Sequence, residues 1–165
     1  MISTTLQDAF NKQIGNELSA AHLYLSMAAF FESLSLPGFA KWMRLQHQEE
    51  TAHALKIFDF LVDRNGRVSL QAINAPASEF ESVEAAVALA LDHERRVTAD
   101  IYALHELAQK ERDYASHVLL EWFAAEQVEE EKTLEEVVDH VRMVKDDGAG
   151  LLILDQRLGS RTTAE

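Results

Sequence analysis

Cysteine is absent from the 165 residues, and with it go disulfides, thiolate nucleophiles, iron–sulfur clusters and thiol-ligated zinc. Proline and glycine are scarce, at two and six positions, so little in the chain can interrupt a helix. Ala, Leu, Glu, Gln and Lys recur instead, which favours long helices and an all-α fold. No stretch approaches the roughly 18 uninterrupted apolar residues of a membrane span. The opening Met1-Ile2-Ser3-Thr4-Thr5-Leu6-Gln7-Asp8 has neither the basic start nor the apolar run of a secretory signal. A soluble, cytoplasmic protein with no membrane partner is expected. Cations are also short: 15 Lys and Arg face 28 Asp and Glu, a formal net charge of −13. That balance argues against nucleic acid, whose phosphates need clustered Lys or Arg. Cations are the complementary guests; acidic charge that serves solubility alone is the plain alternative.

At 47% hydrophobic and 26% charged, the chain has the make-up of one domain, residues 1–165, with a sizeable core. Leu6, Phe10, Ile14, Leu18, Ala21 and Leu25 recur at helical spacing behind a Thr4-x-x-Gln7 capping box, predicting a first helix over about 5–34. Pro37 and Gly38 break it. Phe39, Trp42, Met43, Gln46, Glu50, His53, Ile57, Phe60 and Leu61 continue as a second helix, about 38–64, stopped at Asn65-Gly66. Ser78-x-x-Glu81 opens a third over about 79–110, carrying Val83, Val87, Ala90, Leu91, Glu94, Val97, Ile101, Leu104 and Ala108. Asp113 caps a fourth over about 113–144, with a stripe of Tyr114, Val118, Phe123, Gln127, Glu130, Leu134, Val137 and Val141. After Asp146-Asp147-Gly148-Ala149-Gly150 a short fifth helix, about 148–158, is expected. Short turns make the first two helices antiparallel neighbours, and likewise the third and fourth. The segment from Asn65 to Glu79 differs. Extended, it reaches about 50 Å, enough to run the roughly 40 Å length of the second helix, so the second and third helices are expected to be parallel.

Adding 77 to Glu17, Glu49, Glu50 and His53 lands on Glu94, Glu126, Gln127 and Glu130, so two helical hairpins place polar residues at matching depths. Glu17, Glu50 with His53, Glu94, and Gln127 with Glu130 lie on or beside the apolar stripes of four helices, facing inward. Carboxylates at one level of a dry core repel each other and lose their hydration, so they need a neutralising partner. Arg95 and Arg96 are turned off the direction of Glu94, and no other cation sits at an inward position. Protonation is one relief. Divalent metal is another, and it uses the one His placed three residues after a Glu. Carboxylates with a single imidazole suit Fe²⁺, Mn²⁺ or Zn²⁺ and not a closed structural zinc site. His22, His47, His93, His105, His117 and His140 have no such constellation. Tyr24, two helical turns from Glu17, either hydrogen-bonds a ligand or fills the core; Trp122 reads as packing. Glu49, Glu126 and Glu129 form a second layer that is either an additional metal site or a solvated acidic face.

The segment from Trp122 to Lys132, WFAAEQVEEEK, and the Glu49-Glu50-x-x-His53 motif resemble the non-haem bacterial ferritins, a likeness that runs over essentially the whole chain without gaps in either motif. The resemblance implies a ferritin-like four-helix bundle and storage of iron after oxidation of Fe²⁺ by O₂ or H₂O₂. It implies that Glu17, Glu50 and His53 hold one iron and that Glu50, Glu94 and Glu130 hold the other, with Glu50 bridging. Glu49, Glu126, Glu129 and Glu130 would hold a third, with Tyr24 as the tyrosine beside the pair. It further implies a homo-oligomeric 24-subunit shell with the fifth helix near a four-fold axis. Bacterioferritins place a haem-ligating Met directly after the second-helix Glu and a second Glu-x-x-His on the fourth helix. This chain has Thr51, Gln127 and Glu130 there, so no haem is expected, and the pair of irons should be held unequally.

Overall fold

The computed structural model describes residues 1–161; the last four residues of the expected 1–165 domain lie outside the described residues. Among the described residues five helices follow in order: α1 (Thr4–Ser33), α2 (Pro37–Asp63), α3 (Val83–Glu111), α4 (Tyr114–Val144) and α5 (Gly148–Gly159). The first four form the bundle, with α1 packed on both α2 and α3, α3 on α4, and α5 docked on α2 and α4.

The helix ends follow from short polar side chains and left-handed turns. Ser3, one residue ahead of the expected capping box, accepts the Leu6 N–H at 3.1 Å. Asp113 accepts the Ser116 N–H at 3.0 Å, and the Arg64 guanidinium forks onto its two oxygens at 2.9 and 2.7 Å, tying the end of α2 to the start of α4. Pro37 occupies the first turn of α2, where no N–H is missed. Ser35, Asn65 and Arg112 take positive φ where helices stop. The third helix starts later than its sequence signal. Ser82, not Ser78, accepts the Ala85 N–H at 3.0 Å. Phe80 meets the Phe30 ring edge-on at 5.0 Å, which pins residue 80 into the connection and leaves the helix to begin at Val83.

Residues 64–82 run the length of α1. Arg67 N–H donates to Gln7, Asn11 bonds Arg67 and Ser69, Ser26 donates to Ala77, and Phe80 closes on Phe30. The chain therefore returns to the end where α2 began, and α3 runs parallel to α2.

Apolar packing comes in two separate blocks. One joins Ala20 to Phe31, Phe39 to Met43, Ala86 to Leu91 and Leu134 to Val141 with Leu154 and Leu158 of α5. The other joins Leu6 to Ile14, Ala54 to Leu61, Val97 to Ala108, and Leu120 with Phe123. Between them, at the same depth on every helix, lie Glu17, Gln46, Glu50, His53, Glu94 and Gln127, all buried. Two stripe residues expected to face inward on the fourth helix do not. Tyr114 and Val118 are exposed at 76% and 70%, because Ser116 and Leu120 take the inward phase there. Leu25 of α1 is likewise exposed.

The docking of α5 rests on backbone approach. Asp155, buried, accepts the Phe39 N–H at 2.9 Å, satisfying the first turn of α2 from another helix. A Cβ at Gly38 would stand 1.8 Å from the Asp155 carbonyl oxygen. Gly38→Ala is therefore expected to lift α5 from α2 and destabilise the protein by about 2–4 kcal/mol, the scale of an overpacked backbone contact with loss of its apolar seat. Thermal unfolding and proteolysis after Lys145 measure it; an unchanged midpoint with α5 still protected would refute the contact.

Candidate metal centre

The polar layer is assembled by helical register. Glu17 sits between Ile14 and Ala20 of the two apolar blocks, Glu50 and His53 between Met43 and Ala54, and Glu94 between Leu91 and Val97. One ligand atom each of Glu17, Glu50 and His53 lies within 4.8 Å of the others, and all three residues are buried. His53 turns Nδ1 to Glu50 Oε2 at 3.5 Å and Nε2 toward Glu126 at 3.9 Å. Among the described residues Nδ1 has no hydrogen-bond partner, and neither has Glu17 Oε2 nor either oxygen of Glu50. Such orphaned buried atoms aimed at a common point are what a cation site needs.

The remaining carboxylates of the layer are each held by a neutral donor. Gln13 Nε2 donates to Glu17 Oε1 at 2.8 Å, Gln127 Nε2 to Glu94 Oε2 at 3.1 Å, and Gln46 Nε2 to Glu130 Oε2 at 2.8 Å. The Tyr24 hydroxyl donates to Glu94 Oε1. Glu94 and Glu130 thus belong to the layer but, among the described residues, do not close a compact trio with Glu50. The physical reason is that both Glu94 oxygens and one Glu130 oxygen are already engaged. An amide fixes one carboxylate oxygen without adding charge, leaving the other for a ligand.

Electrostatics agrees. Burial pushes Glu17 up to about 7, against the hydrogen bonds that lower it. Burial, then the neighbouring Glu94 and Glu17, hold Glu50 well above the carboxylate range, and burial raises Glu94. Burial followed by repulsion from Glu94 and Glu49 takes Glu130 up to about 8. Burial also depresses His53 to about 4, helped by Lys56, so its imidazole is a neutral ligand at physiological pH. Lys56 itself lies over the Trp122 ring at 4.1 Å, and Trp122 meets His53 edge-on at 5.5 Å. Trp122 is packing that fixes the imidazole plane.

Glu49, Glu126, Glu129 and Glu130 line one surface cleft together with Gln46, Trp42 and Arg161. Sequence reasoning missed three partners. Gln13 and Gln46 carried a usable signal, each being an amide at an inward position four residues before a site Glu. Arg161, whose guanidinium lies 5.3 Å from the Trp42 ring centroid and faces the cleft, is brought there by the docking of α5, which no local pattern announces.

Helices of this length with a crossover between the second and third, and a carboxylate–imidazole layer across their middle, define a helix bundle with a metal-binding type of core. Comparison with known proteins narrows the class. The ferritin-like domain family matches residues 7–144. Bacterial non-heme ferritins of Staphylococcus haemolyticus (strain JCSC1435) and Staphylococcus aureus (strain USA300) are 39% and 36% identical over 165 residues, each match covering 100% of this chain and 99% of the relative. Among solved structures, a closed form of the Archaeoglobus fulgidus ferritin engineered by site-directed mutagenesis aligns with TM-score 0.97 and 45% identity, covering 99% of this chain and 100% of that one. The open-pore ferritin of the same archaeon aligns with TM-score 0.97 and 45% identity over 98% of this chain and 100% of that one. The chain belongs to the ferritin family, and iron storage with ferroxidase activity is its function.

Proposed function

We propose that Fe²⁺ is the substrate of the buried layer and that two ions are oxidised there together, within one subunit. The observation that carries this reading is the set of orphaned ligand atoms, Glu17 Oε2, both oxygens of Glu50 and His53 Nδ1, around one point. Glu17, Glu50 and His53 take the first ion. Glu94 and Glu130 take the second, with Glu50 serving both, because it alone among the described residues of the layer has two unengaged oxygens. The second ion meets a free oxygen on Glu130, whose other oxygen Gln46 holds, but has to displace the Tyr24 or Gln127 hydrogen bond from Glu94, so it binds more weakly. Unequal affinity suits passage of iron onward.

The bundle supplies position and charge; the redox chemistry is the metal's. Two Fe²⁺ give one electron each to O₂, which takes up two protons to become H₂O₂, or to H₂O₂, which takes up two protons to become two waters. The carboxyls hold protons until metal displaces them, and the low basicity of His53 keeps Nδ1 open. Tyr24 hydrogen-bonds Glu94 and keeps that carboxylate in place. The Glu49, Glu126, Glu129 and Glu130 cleft takes a third iron on its way from the pair. The protein works as a cytoplasmic homo-oligomeric shell of 24 subunits that encloses the Fe³⁺ mineral.

Stopped-flow mixing of anaerobic Fe²⁺-loaded protein with O₂ tests the reading. Expected is a fast phase that saturates at two Fe²⁺ per chain and is blocked by prior loading with Zn²⁺, with the iron later co-eluting with the assembled shell. Oxidation no faster than in buffer, or a fast phase at one ion per chain, would overturn it.

A further inference from the structure

Glu17 is oriented from the surface. Gln13 Nε2 donates to its Oε1 at 2.8 Å, Asn16 Nδ2 donates to Gln13 Oε1 at 3.2 Å, and the same Asn16 amide donates to Asp100 Oδ2 at 3.0 Å across the α1–α3 interface. Gln13 is buried with Glu17 at the floor of a crevice between α1 and α3 that Asn16, Asp100 and Lys12 also line. The polarity of this chain is set at its outer end. A carboxylate only accepts hydrogen bonds, so Asn16 must offer Asp100 its NH₂, and the second N–H of that group goes to the Gln13 oxygen. Gln13 then has only its own NH₂ to offer inward. Flipped, either amide would set oxygen against oxygen.

The fourth helix repeats the arrangement. Gln127 donates to Glu94, and its NH₂ also meets Thr98 Oγ1 at 3.3 Å, whose hydroxyl donates to Glu131 at 2.5 Å. Two inner carboxylates are thus each held by a glutamine whose orientation an outer carboxylate fixes.

We propose that Asp100, through Asn16 and Gln13, is a positioning residue for the metal centre: it locks Glu17 with Oε1 bound and Oε2 free beside Glu50 and His53. The inference rests on Glu17 being a metal ligand. Partners hydrogen-bonded to a ligand alter metal affinity by about 10–100-fold in general; Gln13 holds that position and Asp100 stands two hydrogen bonds further out, so the low end, about tenfold, is expected here.

The test titrates the full-length assembled protein with Co²⁺, reading both affinity and the visible ligand-field spectrum. Gln13→Leu and Asp100→Ala are each expected to weaken the tighter Co²⁺ site about tenfold and to alter its spectrum, while Asp92→Asn, an exposed change on the same helix, leaves both unaltered. Gln13→Leu combined with Asp100→Ala should be no weaker than Gln13→Leu alone, because the outer carboxylate acts only through the amide. Raised salt should leave the Asp100→Ala loss in place. Losses that add in the double variant, or that salt abolishes, mean Asp100 acts through space as charge and overturn the relay. Glu17→Ala separates the two readings: if it leaves Co²⁺ affinity intact, the ligand assignment has failed, whereas if it abolishes the tight site and the other variants do nothing, the relay alone has failed.

Discussion

Glu50→Gln removes fast Fe²⁺ oxidation and at the same time makes the metal-free protein more stable. The substitution keeps volume and shape, so packing around residue 50 changes little. Function falls because Glu50 is the residue with two unengaged oxygens between Glu17 and His53 on one side and Glu94 and Glu130 on the other. An amide is neutral and offers one acceptor oxygen, so it can neither serve two cations nor compensate their charge. The fast phase should drop at least about 100-fold, more than loss of a group that merely positions a ligand. Stability moves the other way. Wild type buries a carboxyl that faces further acids, Glu17 and Glu94, and, among the described residues, no neutral or cationic donor. Replacing a group of that kind by a neutral one of equal size is worth about 1–3 kcal/mol. The chelated variant at pH 8 should therefore unfold at a higher temperature than wild type, and the order should reverse when both are saturated with Zn²⁺. A Glu50→Gln variant that still oxidises two Fe²⁺ per chain at the wild-type rate would remove Glu50 from the centre; one that is less stable without metal would mean Glu50 is satisfied by contacts within the fold.

What the sequence shows of all this depends on how local the cause is. Helix number, the crossover and the depth of the polar layer are legible because period 3.6 and two short turns fix which residues share a level. The 77-residue offset works for the same reason: it compares depths. Where cause is tertiary, the signal fades. Ser78-x-x-Glu81 is a sound capping pattern, yet Phe80 packs on Phe30 and the helix waits for Ser82. Tyr114 and Val118 are apolar and correctly spaced, yet the inward phase is held by Ser116, a small polar residue that no hydrophobic pattern picks out. At the centre, residue types identify Glu17, Glu50, His53, Glu94 and Glu130 as a set. They do not say that Glu94 and Glu130 are engaged by Tyr24, Gln127 and Gln46 while Glu17 and Glu50 point free oxygens at His53. That division follows from rotamers chosen by neighbours on other helices.

Metal-free protein should lose stability as pH rises from about 6.5 to about 8.5, opposite to the usual behaviour of carboxylates held in ion pairs. The sign follows from proton counts. Glu17 and Glu130, at about 7 and about 8 when folded, stand above their ordinary 4.5, as do Glu50 and Glu94. Between those limits the folded chain binds more protons than the unfolded one, so unfolding releases protons and alkali favours it. Stability these groups confer is complete below about pH 4.5 and is lost as pH climbs through their folded values. His53 acts in the other direction: its folded value of about 4 lies below 6.5, so its contribution grows with pH between those values and is constant above. Burial lowers His93 in the same direction as His53, and above about pH 6.5 the four raised carboxyls set the slope. Between pH 6.5 and 8.5 the proton imbalance amounts to about 1 kcal/mol at Glu17, most of whose shift is spent at lower pH, and about 2 kcal/mol at Glu130, and for a chain of this size 1 kcal/mol moves the midpoint by about 2–4 °C. A fall of about 5–10 °C between pH 6.5 and 8.5 is therefore expected for protein kept in chelator. Saturating Zn²⁺ holds the same carboxylates ionised at every pH in that range, so the fall should vanish, and calorimetry in two buffers of different ionisation enthalpy should show protons released as the metal binds. A midpoint flat in chelator from pH 6.5 to 8.5 would mean that the four acids ionise without penalty, which only water standing in the layer allows.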